Sequence, residues 1–319
     1  MTSSGTDEDH ETEGVAAPSA TAPSATAPSA TADPTAAARP TGRAALFAWG
    51  AVTVILVGVT ALIVYALTRG TPPQDVSRAS VTSSDILASL SSLPASVDDE
   101  VGAGTAATPL TQPVPLSGQP PLESNGKPEV LFVGAEYCPF CAAERWSLIL
   151  ALSRFGHFSV LHNVQSAPND AFSGIQSFSF VHSAYASRYV SFTGVELYST
   201  TLDAQGGYTK IASLTPSQAE LVARDGPPSG ALGSSPVPFV DIANRMVSST
   251  SGFSPALLVG QSQSAITSAL NQPGKPIADA VVGAANELTA GICEATGQQP
   301  SSVCSSKGVR EADAALGLH

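Results

Sequence analysis

The chain has 319 residues, 43% of them hydrophobic and only 13% charged, with 14 Lys and Arg against 26 Asp and Glu for a net charge of −12. A phosphate backbone is held by clustered Lys and Arg, so this balance excludes nucleic acid as a partner. A polar tail, an apolar segment and a linker take roughly the first hundred residues, and about 200 remain to bury one sizeable core.

Residues 1–43 carry an acidic start (Asp7, Glu8, Asp9, Glu11, Glu13) and three copies of Ala-Pro-Ser-Ala-Thr between Ala17 and Thr31. A five-residue repeat with no large side chain cannot bury a face, so this tail is expected to be disordered. Ala44 to Leu67 is uncharged and rich in Val, Leu, Ile and Ala. A helix of this length crosses a hydrocarbon core of about 30 Å. It is longer than the apolar part of a signal peptide and lacks a small-residue cleavage site, which predicts an uncleaved single-pass anchor in the lipid bilayer over 44–67. Arg39 and Arg43 precede it and Arg69 and Arg78 follow, so flanking charge leaves the orientation tied.

Residues 68–125 read as a linker. Within it Ile86, Leu87, Leu90 and Leu93 recur at helical spacing after Ser84-Asp85, a plausible N-cap, and predict a short docking helix before Pro94. Thr108 to Leu122, with five prolines, predicts an extended connector.

A folded domain is expected over 126–319. Val130-Leu131-Phe132-Val133 predicts a strand buried on both faces. It leads through Gly134-Ala-Glu-Tyr137 into Cys138-Pro139-Phe140-Cys141 and a helix that ends near Gly156. A C-x-x-C opening a helix after a strand is a redox arrangement. The first cysteine lies where unpaired N–H groups and the helix dipole favour a thiolate, and the second lies one turn on. Cys138 is therefore the candidate nucleophile and Cys141 the candidate resolving thiol. A zinc site would need two more closely spaced ligands, whereas Cys293 and Cys304 stand 11 apart; no metal and no cofactor are expected.

Downstream, Phe158 to Val164 and Tyr189 to Tyr198 read as strands, and Thr215-Pro-Ser-Gln218 as a capping box opening a helix to Asp225. Ser235-Pro-Val-Pro238 leads into a strand to Ala243, a turn at Asn244-Arg245 and a returning strand at Met246-Val247. Ser262 to Leu270 and Val281 to Cys293 read as helices. The order β-α-β, insertion, β-β-α predicts an α/β, thioredoxin-like fold with a long insertion before the strand that follows Pro238. In such folds a cis proline faces the C-x-x-C, which makes Val237 and Pro238 the candidate substrate-docking residues; an ordinary trans edge proline is the alternative. Cys293 and Cys304 read as a structural disulfide, or else as a relay pair exchanging electrons with Cys138 and Cys141. All four cysteines follow the apolar segment, which suits an oxidising compartment outside the membrane and a cytoplasmic tail. His157, His162 and His182 read as surface or locally bonded histidines, Trp146 as core, and Glu144-Arg145 as a solvated helix pair.

The segment Gly134-Ala-Glu-Tyr-Cys-Pro-Phe-Cys-Ala-Ala-Glu-Arg-Trp146, with Pro238-Phe-Val-Asp-Ile-Ala-Asn244 and Ala285-Asn-Glu-Leu-Thr-Ala-Gly-Ile-Cys293, resembles an uncharacterised family of single-span, thioredoxin-like proteins found mainly in actinobacteria. The resemblance covers roughly residues 84–308. At superfamily level Ala135-Glu-Tyr-Cys138 is similar to the Ala-Glu-Trp-Cys of thioredoxin, and Val237 before Pro238 is closer to DsbA-like oxidases. Thioredoxin's buried acid, six residues before the first cysteine, is Phe132 here, so Glu136, Glu144 or water would have to accept the Cys141 proton. The expected function is a membrane-anchored extracytoplasmic thiol–disulfide oxidoreductase. Its expected partners are client proteins with cysteines and a membrane or thiol redox partner. The alternative is a catalytically inactive thioredoxin-like interaction module.

Overall fold

The computed structural model describes residues 80–104, 112–226 and 237–318. The tail expected at 1–43 and the membrane helix expected at 44–67 lie outside these residues, as do Ser235 and Pro236. Among the described residues no helix is long and apolar enough to cross a membrane.

Ser84–Ser91 (α1) is the helix predicted from Ile86, Leu87 and Leu90. Its cap is Ser83, one residue earlier than expected, whose hydroxyl accepts the Ile86 N–H. Ala95–Val101 (α2) follows Pro94. Of the connector expected at 108–122, residues 112–122 are described and supply Val114–Pro115 (β1); Glu123–Ser124 (β2) follows. Asn125 and Gly126 both take positive φ, the two-residue turn that joins β2 to Lys127–Gly134 (β3). Pro139–Ser153 (α3) then carries the C-x-x-C. The insertion holds Gly156–Gln165 (β4), Gln176–Ser187 (β5), Ser191–Glu196 (β6), Tyr198–Leu202 (β7), Tyr208–Lys210 (β8) and Pro216–Asp225 (α4). The predicted capping box on α4 is formed by Thr215 and Gln218. Phe239–Ile242 (β9) and Met246–Ser248 (β10) form the predicted strand pair. A 3-10 turn at Pro255–Leu258 and Gln263–Ala269 (α5) follow, then Pro276–Ala295 (α6), Ser301–Cys304 (α7) and Lys307–Leu316 (α8).

The architecture is mixed α/β. In the main sheet β1 pairs β10, β10 pairs β9 and β9 pairs β3, all antiparallel, while β6 lies parallel to β3 over its length. Phe158 to Val164, expected only as the next strand in the chain, is a strand. That segment, within β4, pairs β5 in a separate two-stranded sheet, and β6 is the parallel neighbour of β3. The reason lies in the side chains. β4 is only partly covered, whereas Gly194 of β6 lets the Phe180 side chain of β5 come so close that a Cβ there would meet it at 2.5 Å. Phe158, Phe180 and Phe192 close over the sheet as one aromatic cluster, with ring centroids 4.8–6.1 Å apart. Phe132 meets Phe180 edge-on at 5.0 Å. On α6, Gly291 lies against Met246 and Ile242 of the sheet.

Candidate thiol site

Cys138 is the N-cap of α3. Its backbone is extended (φ −75°, ψ 123°), Pro139 fills the first helical position, and Sγ accepts the Cys141 N–H at 3.3 Å. Proline suits that position because no intrahelical partner awaits its missing N–H. The Cys138 N–H donates to the Ala135 carbonyl at 3.2 Å, closing the turn after β3. Both thiols are free; Cys138 is 7% exposed and Cys141 0%. The thiol of Cys141, hydrogen-bonded to Sγ, pulls the Cys138 pKa down, with the Cys141 amide and the Arg145 charge acting the same way against burial. Burial, and then the neighbouring Cys138 sulfur, push Cys141 well up. One thiol is thus prepared to ionise and the other to hold its proton.

Beneath the pair lies an ion pair that departs from the expected solvated Glu144-Arg145. Both residues are fully buried, because α3 is apolar around its whole circumference and has no solvent face to offer them. Arg145 is held by Glu196 at the end of β6: Nε donates to Oε1 at 2.9 Å and Nη2 to Oε2 at 2.5 Å. Nη2 also donates to the Ala135 carbonyl at 2.9 Å, and the guanidinium carbon stands 5.4 Å from the centroid of the Phe132 ring. Glu136 is buried beside it and accepts the Ser179 hydroxyl at 2.6 Å; burial raises its pKa. Glu144 turns elsewhere, accepting the Gly252 N–H at 3.3 Å, and burial pushes it up to about 8.

The Val237–Pro238 bond is cis, as expected. Val133 is opposite Phe239 in the β3–β9 ladder, so Pro238 stands one step further on, where β3 gives way to the turn that carries Cys138. Aromatic side chains border that turn: Tyr137 stacks on Tyr208 at 3.9 Å, and Phe140 meets Phe172 edge-on at 5.7 Å. Trp146 is core, its indole N–H donating to the Gln176 carbonyl at 3.0 Å. His157 and His162 lie on β4 and His182 on β5. Cys293 and Cys304 form a disulfide of 2.02 Å at the far end of α6. Among the described residues no group of three or more His, Cys, Asp or Glu is placed to hold a metal ion.

Cys138, Cys141, Val237 and Pro238 were candidates from sequence, whereas the Arg145–Glu196 pair beside the thiols was not. The signal for Arg145 was present: a charge within an all-apolar helix is buried and needs a partner. Nothing nearby in sequence marked Glu196 as that partner.

A family model described as a domain of unknown function, DUF929, matches residues 113–231. The matched stretch contains Cys138, Cys141, Arg145 and Glu196 and stops short of Pro238 and of Cys293. It agrees with an expected uncharacterised family. No curated protein and no solved structure matches the chain.

Proposed function

We propose that the protein is a membrane-anchored, extracytoplasmic thiol–disulfide oxidoreductase of thioredoxin-like fold, acting on the cysteines of client proteins through Cys138 and Cys141. The observation that carries this reading is the asymmetry of the pair: an acidified sulfur at a helix N-cap, and a buried, proton-holding partner one turn away. The β6-β3-β9-β10 order, with the C-x-x-C helix after β3 and Pro238 at the head of β9, supports a thioredoxin-like fold.

The Cys138 thiolate attacks one sulfur of a client disulfide. A Cys138–client disulfide forms, the client S–S bond breaks, and the departing client thiolate takes up the proton that Cys138 lost. Cys141 then attacks Cys138 Sγ and gives its proton to the second client sulfur as that bond breaks. Two electrons pass from the protein to the client, and the reverse sequence oxidises a client dithiol. Val237 and Pro238 would dock the client's extended backbone, a membrane or thiol redox partner would reset the pair, and residues 44–67 would anchor the domain outside the membrane.

Substituting Cys141→Ser should trap clients as mixed disulfides on Cys138. An empty trap, with Cys138 still open to small alkylating reagents, favours the second reading, an interaction module. That reading draws on the burial of both thiols. A reporter fused after His319 should read extracytoplasmic; a cytoplasmic signal would remove the oxidative role.

A further inference from the structure

The chain lacks a carboxyl at Phe132, and what fills the space behind the thiols is the Arg145 guanidinium. Arg145 follows Cys141 by four residues, so the two side chains share a face of α3 one turn apart, and neither has any exposed surface. Its Nη2 binds the same Ala135 carbonyl that accepts the Cys138 N–H, which puts the cation directly behind the turn bearing the nucleophile. Nε and Nη2 are committed to Glu196, while Nη1 is buried with no hydrogen-bond partner. An Arg cannot shed its proton in this interior, so the charge stays.

We propose that Arg145 is a positioning residue that holds negative charge on the Cys138 sulfur, and that Glu196 tunes it by drawing part of its field away. The proposal rests on the redox reading above. A fixed cation favours the Cys138 thiolate without accepting its proton, which passes to the departing client sulfur as described above. The other titratable groups around Arg145 are Glu136 from the turn after β3, which accepts from Ser179 of β5, and His162 of β4, whose charge acts on Glu136. Arg145 acts directly on both sulfurs, while Glu196 acts on Arg145.

The test is the pH profile of iodoacetamide alkylation at Cys138, localised by mass spectrometry in the full chain. Removing the cation with Arg145→Met should move the profile to higher pH and slow alkylation at pH 7 by about tenfold, the effect of one opposite charge on a neighbouring thiol. Glu196→Gln, nearly the same shape, leaves the cation without its counter-charge and should move the profile the other way. Arg145→Lys should restore much of the wild-type profile. A merely structural pair would leave the profile in place or shift it in one direction for both variants, and either result overturns the proposal. If Arg145→Met does not fold, Glu196→Gln decides alone: an unmoved or upward profile overturns it. These readouts need no client, so an empty Cys141→Ser trap beside opposite shifts would sink the redox reading and leave the charge role standing.

Discussion

The amide of Cys141 donates to Sγ of Cys138 at 3.3 Å, so the sulfur assigned to chemistry is also the cap of its own helix. Catalytic and structural roles can therefore be separated at one position. Cys138→Ser keeps a side-chain acceptor for the Cys141 N–H, whereas Cys138→Ala removes it. Both variants should lose alkylation at residue 138. In urea unfolding the Ala variant should be the less stable of the two by about 1 kcal/mol, the usual worth of an N-cap. Equal stability would mean that the sulfur contributes nothing to the helix terminus.

A second prediction concerns pH. Glu144 Oε1 and both carboxylate oxygens of Glu287 are buried without a hydrogen-bond partner. Burial raises Glu144 to about 8, with Glu287 adding to the rise, and raises Glu287 to about 7. In the unfolded chain both release their protons near the ordinary glutamate value of 4.5. Between these limits the folded state binds more protons, so stability is fullest at low pH and drains as pH rises, levelling above the folded values. Each carboxyl contributes a slope of at most about 1.4 kcal/mol per pH unit. Asp241, raised by burial to about 6, acts in the same sense. Urea midpoints should fall from pH 5 to pH 8, and Glu144→Gln should flatten the fall. A midpoint that climbs over this range would contradict buried, protonated carboxyls.

The strand, the C-x-x-C and the helix were legible because each has a local cause: an unbroken apolar run at Val130–Val133, a cap with proline behind it, and a stop near Gly156. Local causes also account for the Thr215–Gln218 capping box and the turn between β9 and β10. What escaped the sequence reading depends on distant partners. Glu196 lies 51 residues from Arg145, and neither side chain announces the other. The neighbour of β3 was not legible because apolar alternation marks a strand without marking where it pairs. Gly194, which admits Phe180, is the residue that distinguishes β6 from β4. Glu144-Arg145 was read as a pair on an open face, although the apolar residues on every side of it in α3 leave no such face.

The Cys293–Cys304 disulfide closes a separation of 11 residues between α6 and α7. A loop of that size limits the unfolded chain by about 3 kcal/mol. Replacing both cysteines with Ser should lower stability by about that amount and leave the alkylation rate of Cys138 unchanged. A slower Cys138, or loss of client disulfides with stability intact, would identify the pair as a relay and overturn the structural reading.

The last prediction concerns α2. Asp98 Oδ1 meets Arg154 Nη2 at 2.7 Å, with only about a tenth of either side chain exposed. Arg154 Nη1 reaches on to the Thr289 hydroxyl at 2.6 Å, and Asn286 Nδ2 binds the Asp98 and Gly102 carbonyls at 3.0 and 2.6 Å. The C-terminal end of α3, the middle of α6 and the last turn of α2 are thereby joined through one guanidinium and one amide. Gly308 of α8 approaches so closely that a Cβ there would overlap the Asp98 carbonyl. Asp98→Ala would leave Arg154 charged and mostly buried without its hydrogen-bonded carboxylate, with Asp99 the remaining acid acting on it, which should cost about 3 kcal/mol. The exposed Lys307–Glu311 pair, 3.5 Å apart on α8, is the internal control: Lys307→Ala should cost under about 1 kcal/mol. Hydrogen exchange should show the amides of α2 released in the first variant and unchanged in the second. If the two substitutions cost the same, α2 is held by the burial of Val97 rather than by its charge, and Val97→Ala becomes the more damaging change.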